Sequence, residues 1–183
     1  AIPDLSYEQL MAFYKGHYHP SNSILLTFGN LPVSQHHDAF ESRALHRFEK
    51  SDEVIEVHLE QSFEAPKKAA HRYALDDTDA AEKTHLIMGW KLGDSSDLDA
   101  MLEAQLLSSV LMENSASPLM KWLETNDLGT APSPLCGLEE SMREMVMCCG
   151  IEGSEASRAD EFETSVLDVI RKTAEEGVSE ERL

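Results

Sequence analysis

Eight histidines, three cysteines and 34 Asp+Glu side chains are the groups in this 183-residue sequence that could hold a metal or move protons. The histidines are His17, His19, His36, His37, His46, His58, His71 and His85. Helical zinc motifs place two histidines on consecutive turns with a glutamate between them, HExxH or its inversion HxxEH, so that both imidazoles share a face. Neither pattern occurs. His17 and His19 stand two apart at a helix end, which aims them at different faces, and a histidine there also serves the helix dipole and the last carbonyls. His36 and His37 fall in the first turn of a second helix and read as solvent-facing. His85 lies on the polar side of a strand and reads as a partner on the sheet surface. The sequence therefore yields no catalytic and no metal-binding residue, and leaves substrate-binding residues unassigned.

The thiols and hydroxyls point the same way. Cys148 and Cys149 are neighbours on a strand, so their side chains go to opposite faces. Cys149 joins Met145, Met147 and Ile151 as a small core hydrophobe. A redox or zinc role would want Cys-x-x-Cys, which is missing. Ser108, Ser109 and Ser117 have no local base signature, and Ser117 reads as a helix cap. GxGxxG, Walker and GxSxG patterns are absent. Carboxylates are too numerous for any pair to stand out.

Composition narrows the class. Fifteen Lys+Arg against 34 Asp+Glu give a net charge of −19, with 42% hydrophobic residues. Nucleic-acid binding draws most of its affinity from clustered Lys/Arg, and docking on anionic membranes needs the same. Both are disfavoured, so neither nucleic acid nor membrane is expected as a partner. Cys136, Cys148 and Cys149 are too few for a disulfide framework and suit a reducing compartment, such as a bacterial cytoplasm or an organelle matrix. No apolar run reaches the ~20 residues of a membrane span.

The elements that would position these groups alternate between helix and strand. Ser6 and Gln9 form a capping box before a helix carrying Tyr7, Leu10, Met11, Tyr14 and Tyr18 on one face, stopped by Pro20. Ser23–Phe28 reads as a buried strand, and a second helix runs from Pro32 or Ser34 to about Phe48. After a polar break at 49–53, Val57 and Leu59 read as a half-exposed strand, 61–70 as a connector, and His71–Leu75 as another short strand. Leu86, Met88, Trp90 and Leu92 alternate in the clearest strand of the chain. Helices follow at Leu98–Met112, capped by Asp97, and from Ser117-Pro118 through Leu123. Residues 130–137 read as loop or edge, Met145–Ile151 as a strand, and the stretch after Ser157 as a last helix ended by Gly177. The pattern predicts an α+β fold, an antiparallel sheet with helices packed on one face. Residues 1–48 and 54–178 are expected to form two cores joined loosely. The sequence opens without Met, almost directly on a helix, and Val178–Leu183 reads as a helix start without a body. The expectation is an internal piece of a longer chain.

Leu5, Tyr7, Leu10, Phe13, the run His17-Tyr18-His19-Pro20-Ser21-Asn22, and Gly29-Asn30 resemble the close of the catalytic module in insulinase-type (pitrilysin) zinc metallopeptidases, presequence-protease branch. Thr84–Leu92 with Gly93-Asp94, Ser117-Pro118-Leu119, Gly129, and Gly137-Leu138-Glu139 leading to Arg143-Glu144 resemble the start of the next, degenerate module. The resemblance covers essentially the whole chain. It implies a division into 1–48, the tail of the first module; 49–83, a connector and first strands; and 84–183, most of a second, non-catalytic module.

The resemblance further implies a zinc peptidase of four related α+β modules closing around an unfolded peptide. Its Zn2+ ligands would all lie upstream of Ala1, leaving none in this chain. Ala100-Met101-Leu102-Glu103-Ala104 has the shape of the zinc motif with alanine at both histidine places. The implied role is scaffold and peptide-chamber wall, with the remaining modules of its own chain and unfolded peptides as partners. The alternative is a structural or processing-complex subunit of the same fold without peptidase activity.

Overall fold

The capping box at Ser6 is formed: the Gln9 amide donates to Ser6 Oγ at 3.2 Å, and the Ser6 amide donates to Gln9 Oε1 at 2.8 Å. It starts α1, Tyr7–His17, in a computed structural model that describes residues 2–76 and 79–178. Helix α2 spans Val33–Arg43, shorter than expected, because the chain leaves α geometry at Ala44 and passes into a 3-10 turn, Leu45–Arg47. These elements belong to the first of two units, Ala1–Val57 and His58–Leu183. The division falls inside the 49–83 stretch read as connector.

No described residue of the first unit is buried, so the core expected in 1–48 is not formed within the unit. Ser23–Phe28 is not a strand: Ile24 is 96% and Phe28 101% exposed. A strand exists only when a neighbour takes its backbone donors and acceptors, and no described segment pairs with this one. The same reason removes the strands expected at Val57–Leu59 and His71–Leu75, both of which are irregular and exposed.

The second unit carries the sheet. Strand β1, Thr84–Asp94, is followed by α3, Leu98–Met112, whose first turn is held by Asp97 Oδ1 accepting from the Asp99 and Ala100 amides. Helix α4, Pro118–Thr125, begins with proline where a missing N–H costs nothing. Ser117 sits at its N-cap position but makes no side-chain cap; the buried hydroxyl accepts from the Asn114 amide instead. Short strands β2, Ala131–Pro132, and β3, Gly137–Glu139, lead to β4, Glu144–Ser154, and then to α5, Ala159–Glu176. Arg158 rather than Ser157 stands at the α5 N-cap, after a 3-10 turn, and Gly177 ends the helix at φ 72°. The helix start read at Val178–Leu183 falls almost wholly on residues 179–183, outside the described ones.

All pairings are antiparallel and centre on β4, which takes β1 along one side and both β2 and β3 along the other. Leu86 from β1 and Met147, Cys149 and Ile151 from β4 project to one face. There they meet Leu111 and Met112 of α3, Leu119 and Leu123 of α4, and Phe162 and Val166 of α5. Full burial of such side chains contributes about 1.5–3 kcal/mol each before ordering entropy is subtracted. The fold is the expected α+β arrangement of helices over one sheet face. The opposite face is open, as at Ile87, which is 45% exposed. No described helix is long and apolar enough to cross a membrane.

Candidate functional site

The zinc-motif-shaped stretch lies in the first two turns of α3. Ala104 is buried, Ala100 half-buried and Glu103 exposed, so the two alanines are on or near the packed side while the carboxylate points to solvent. Catalytic zinc takes three protein ligands and a water. Methyl groups at 100 and 104 leave Glu103 as the one ligating group of the stretch.

His17, His19 and His46 are each held by a contact within a few residues of chain. His17 Nδ1 lies 3.0 Å from the Phe13 carbonyl, with its ring stacked on Phe13 at 3.7 Å. His19 Nδ1 accepts from the Ser21 amide at 3.1 Å, and its ring meets Phe48 edge-on. His46 Nδ1 lies 2.8 Å from the Glu41 carbonyl. His36 and His37, at the fourth and fifth positions of α2, border a depression with Leu25, Phe40 and Leu45, and His36 is half-buried rather than fully solvent-facing. His85 does have a partner on the sheet surface, Glu152 of β4 at 3.7 Å. Among the described residues, no three His, Cys, Asp or Glu side chains converge in a way that could hold a metal ion.

The cysteines divide as strand geometry requires. Cys149 is buried in the core, and burial pushes its thiol up to about 12. Cys148, on the open face, and Cys136 are half-buried, and desolvation raises both thiols. Cys136 Sγ accepts from the Gly150 amide at 3.3 Å. Raised thiol pKa values are the opposite of what a nucleophile or metal ligand needs.

Ion pairs at one end of the β1–β4 ladder carry no sequence motif. Lys91 Nζ lies 2.9 Å from Glu144 Oε1, and the Glu60 amide donates to Glu144 Oε2 at 2.8 Å. The Lys91 hydrogen bond, with the Glu60 amide second, holds the Glu144 carboxyl below its ordinary range. Arg143 Nη2 lies 2.8 Å from Asp94 Oδ2, and Asp94 is lowered chiefly by accepting from the Ser96 amide and hydroxyl. Sequence reading missed this cluster, since only strand register brings 91 to 144. Its lysine and arginine are matched by carboxylates across the ladder, so it fastens two strands and leaves no group poised for chemistry.

A family model described as "Peptidase M16 inactive domain" matches residues 4–183. The chain belongs to this family. The M16 inactive domain places it among the insulinase-type peptidases expected from its motifs, in a region that does not carry catalysis. The mitochondrial presequence protease of Xenopus tropicalis is 30% identical over 184 residues, covering 100% of this chain and 18% of that protein. That of Mus musculus is 29% identical, again over 100% of this chain and 18% of the relative. Protein HypA of Clostridium perfringens is 27% identical over 98% of this chain and 18% of its own length. The M16 inactive domain thus spans about a fifth of the curated relatives it matches.

Proposed function

We propose that this M16 inactive domain is an internal, non-catalytic portion of a zinc-dependent metalloendopeptidase that degrades unfolded, presequence-like peptides. Its part is scaffold and peptide-chamber wall. Residues 1–48 would complete the preceding catalytic module, 49–83 connect the modules and 84–183 supply most of the second. The observation that carries this reading is α3, where Ala100 and Ala104 stand at the two histidine places of an HxxEH-shaped stretch. The residues present do not fit zinc, so no step of a reaction is assigned to them, and the metal would be held by a module upstream.

Other features agree. Tyr7, Leu10, Phe13, Tyr14, Ile24, Leu26 and Phe28 are exposed in the first unit, as expected of a surface that the remaining modules of the same chain cover. A charge of −19 would attract basic peptides by electrostatic steering. The mitochondrial relatives support an organelle matrix or an equivalent compartment.

The test is peptidase activity on an unfolded basic peptide, measured for the purified 183-residue chain and for the longer polypeptide that carries it. The reading expects cleavage by the longer polypeptide, abolished by a chelator and restored by zinc, and none by the chain alone. An inactive longer polypeptide with an eroded HxxEH would favour the structural-subunit alternative.

A further inference from the structure

We infer that Cys136 and Cys149 are a latent cross-strand pair, closed to a disulfide by glutathione disulfide, and that closure staples the open end of the β3–β4 hairpin. The inference goes beyond the function proposed above and does not depend on it. Its origin is a gap along one side of β4. Strand β3 pairs there through Gly137↔Cys148, Leu138↔Met147 and Glu139↔Val146, and β2 through Ala131↔Glu152 and Pro132↔Ile151. Cys149 and Gly150 fall between the two short ladders. The Ser133 amide donates to the Gly150 carbonyl at 2.9 Å, and the Gly150 amide donates to Cys136 Sγ at 3.3 Å rather than to a carbonyl. Sulfur is a weak acceptor, so this link is weaker than an ordinary rung.

The same gap sets the two thiols side by side. Continuing the β3 register by one residue places Cys136 opposite Cys149. Opposed residues of antiparallel strands have Cα atoms about 4.5–5.5 Å apart, inside the roughly 4.4–6.8 Å that a disulfide bridges. Both side chains are on the core face: Cys149 belongs to the core cluster, and Cys136 packs against it. Strand alternation sends Cys148 to the other face and leaves it out of the pair.

Cys136 is half-buried and Cys149 buried, so Cys136 meets the oxidant first. Its thiol loses a proton and attacks one sulfur of glutathione disulfide, giving a mixed disulfide and one glutathione. Cys149 then loses its proton and attacks Cys136 Sγ, forming the internal bond and expelling the second glutathione. The two protein thiols give up two electrons and two protons, and the glutathione disulfide takes them. Desolvation raises both thiols, so the exchange is slow, on the order of hours. The bond closes a loop of about 14 residues that holds β3, the turn and the first half of β4.

The test is incubation of the folded 183-residue chain with glutathione disulfide, followed by alkylation in denaturant and peptide mapping by mass. The pair predicts a Cys136–Cys149 peptide lighter by two hydrogens, with Cys148 recovered as a free thiol. Cys148→Ala should leave its yield unchanged, and Cys136→Ala and Cys149→Ala should each abolish it. Oxidation should raise the folding equilibrium constant by about 100-fold in chemical denaturation, reversed by a dithiol reductant and absent in Cys136→Ala. A bond between Cys136 and Cys148, a glutathione adduct that stays on Cys136, or an unchanged folding constant in the oxidised chain would overturn the inference.

Discussion

Gly150 of β4 lies so close to Leu86 of β1 that a Cβ at position 150 would stand 2.7 Å from the Leu86 carbonyl oxygen. Ile87 Cγ1 and Ser133 Cβ close the same space at 3.0 and 3.1 Å. Since the nearest atom is backbone in a paired strand, it cannot swing aside. Gly150→Ala should therefore lower unfolding stability by about 1–3 kcal/mol, read from chemical denaturation. Gly16 in α1 is the contrast, because its nearest neighbour is the Glu53 carboxylate at 3.8 Å. Gly16→Ala should stabilise α1 by up to about 1 kcal/mol, slowing its amide exchange about five-fold.

The two sides of α3 should answer differently to truncation. Leu111 is buried in the core, while Leu102 is 56% exposed. Leu111→Ala is expected to cost about 2–5 kcal/mol and Leu102→Ala less than about 0.5 kcal/mol in this chain, by the same denaturation measurement. Equal costs would mean that Leu102 is covered in solution.

Acid should loosen the end of the sheet fastened by Glu144. Its pKa is lowered in the folded state by the Lys91 hydrogen bond, so its contribution is present above the ordinary glutamate value of 4.5 and is lost as pH falls through the depressed folded value. Asp94 acts in the same sense below its ordinary value of 3.8. Stability measured from pH 6 downward should fall less steeply below pH 4.5 in Lys91→Met than in the unsubstituted chain. Parallel curves would remove the role given to this pair.

Thiol labelling should follow burial. With its thiol pushed up to about 12 inside the core, Cys149 should react with an alkylating reagent at pH 8 roughly a thousand-fold more slowly than a free cysteine. Cys148 and Cys136, half-buried, should label before it. Peptide mapping of the labelled sites against time reads the order, and early modification of Cys149 would contradict the packing described.

Local signals in the sequence translated well into structure, and non-local ones did not. Asp97, Pro118 and Gly177 mark helix ends through contacts within a few residues, and those helices stand where the pattern predicts. The alternation in β1 and β4 is legible because each strand has one face in the core. Ser23–Phe28 and Val57–Leu59 carry comparable apolar patterns without becoming strands, since pairing needs a partner that no local pattern names. Ser117 misled for a related reason: its hydroxyl turned back toward Asn114 instead of capping α4. The alanines of α3 were visible in the sequence once set beside the zinc motif, whereas the Lys91–Glu144 pair depends on register and was not.

Zinc content and cleavage measured on one purified sample bear most directly on the account. After incubation with zinc and exhaustive dialysis, the 183-residue chain is predicted to retain well below one equivalent of the metal and to leave an unfolded peptide intact. One tightly held zinc per chain together with chelator-sensitive cleavage would contradict it.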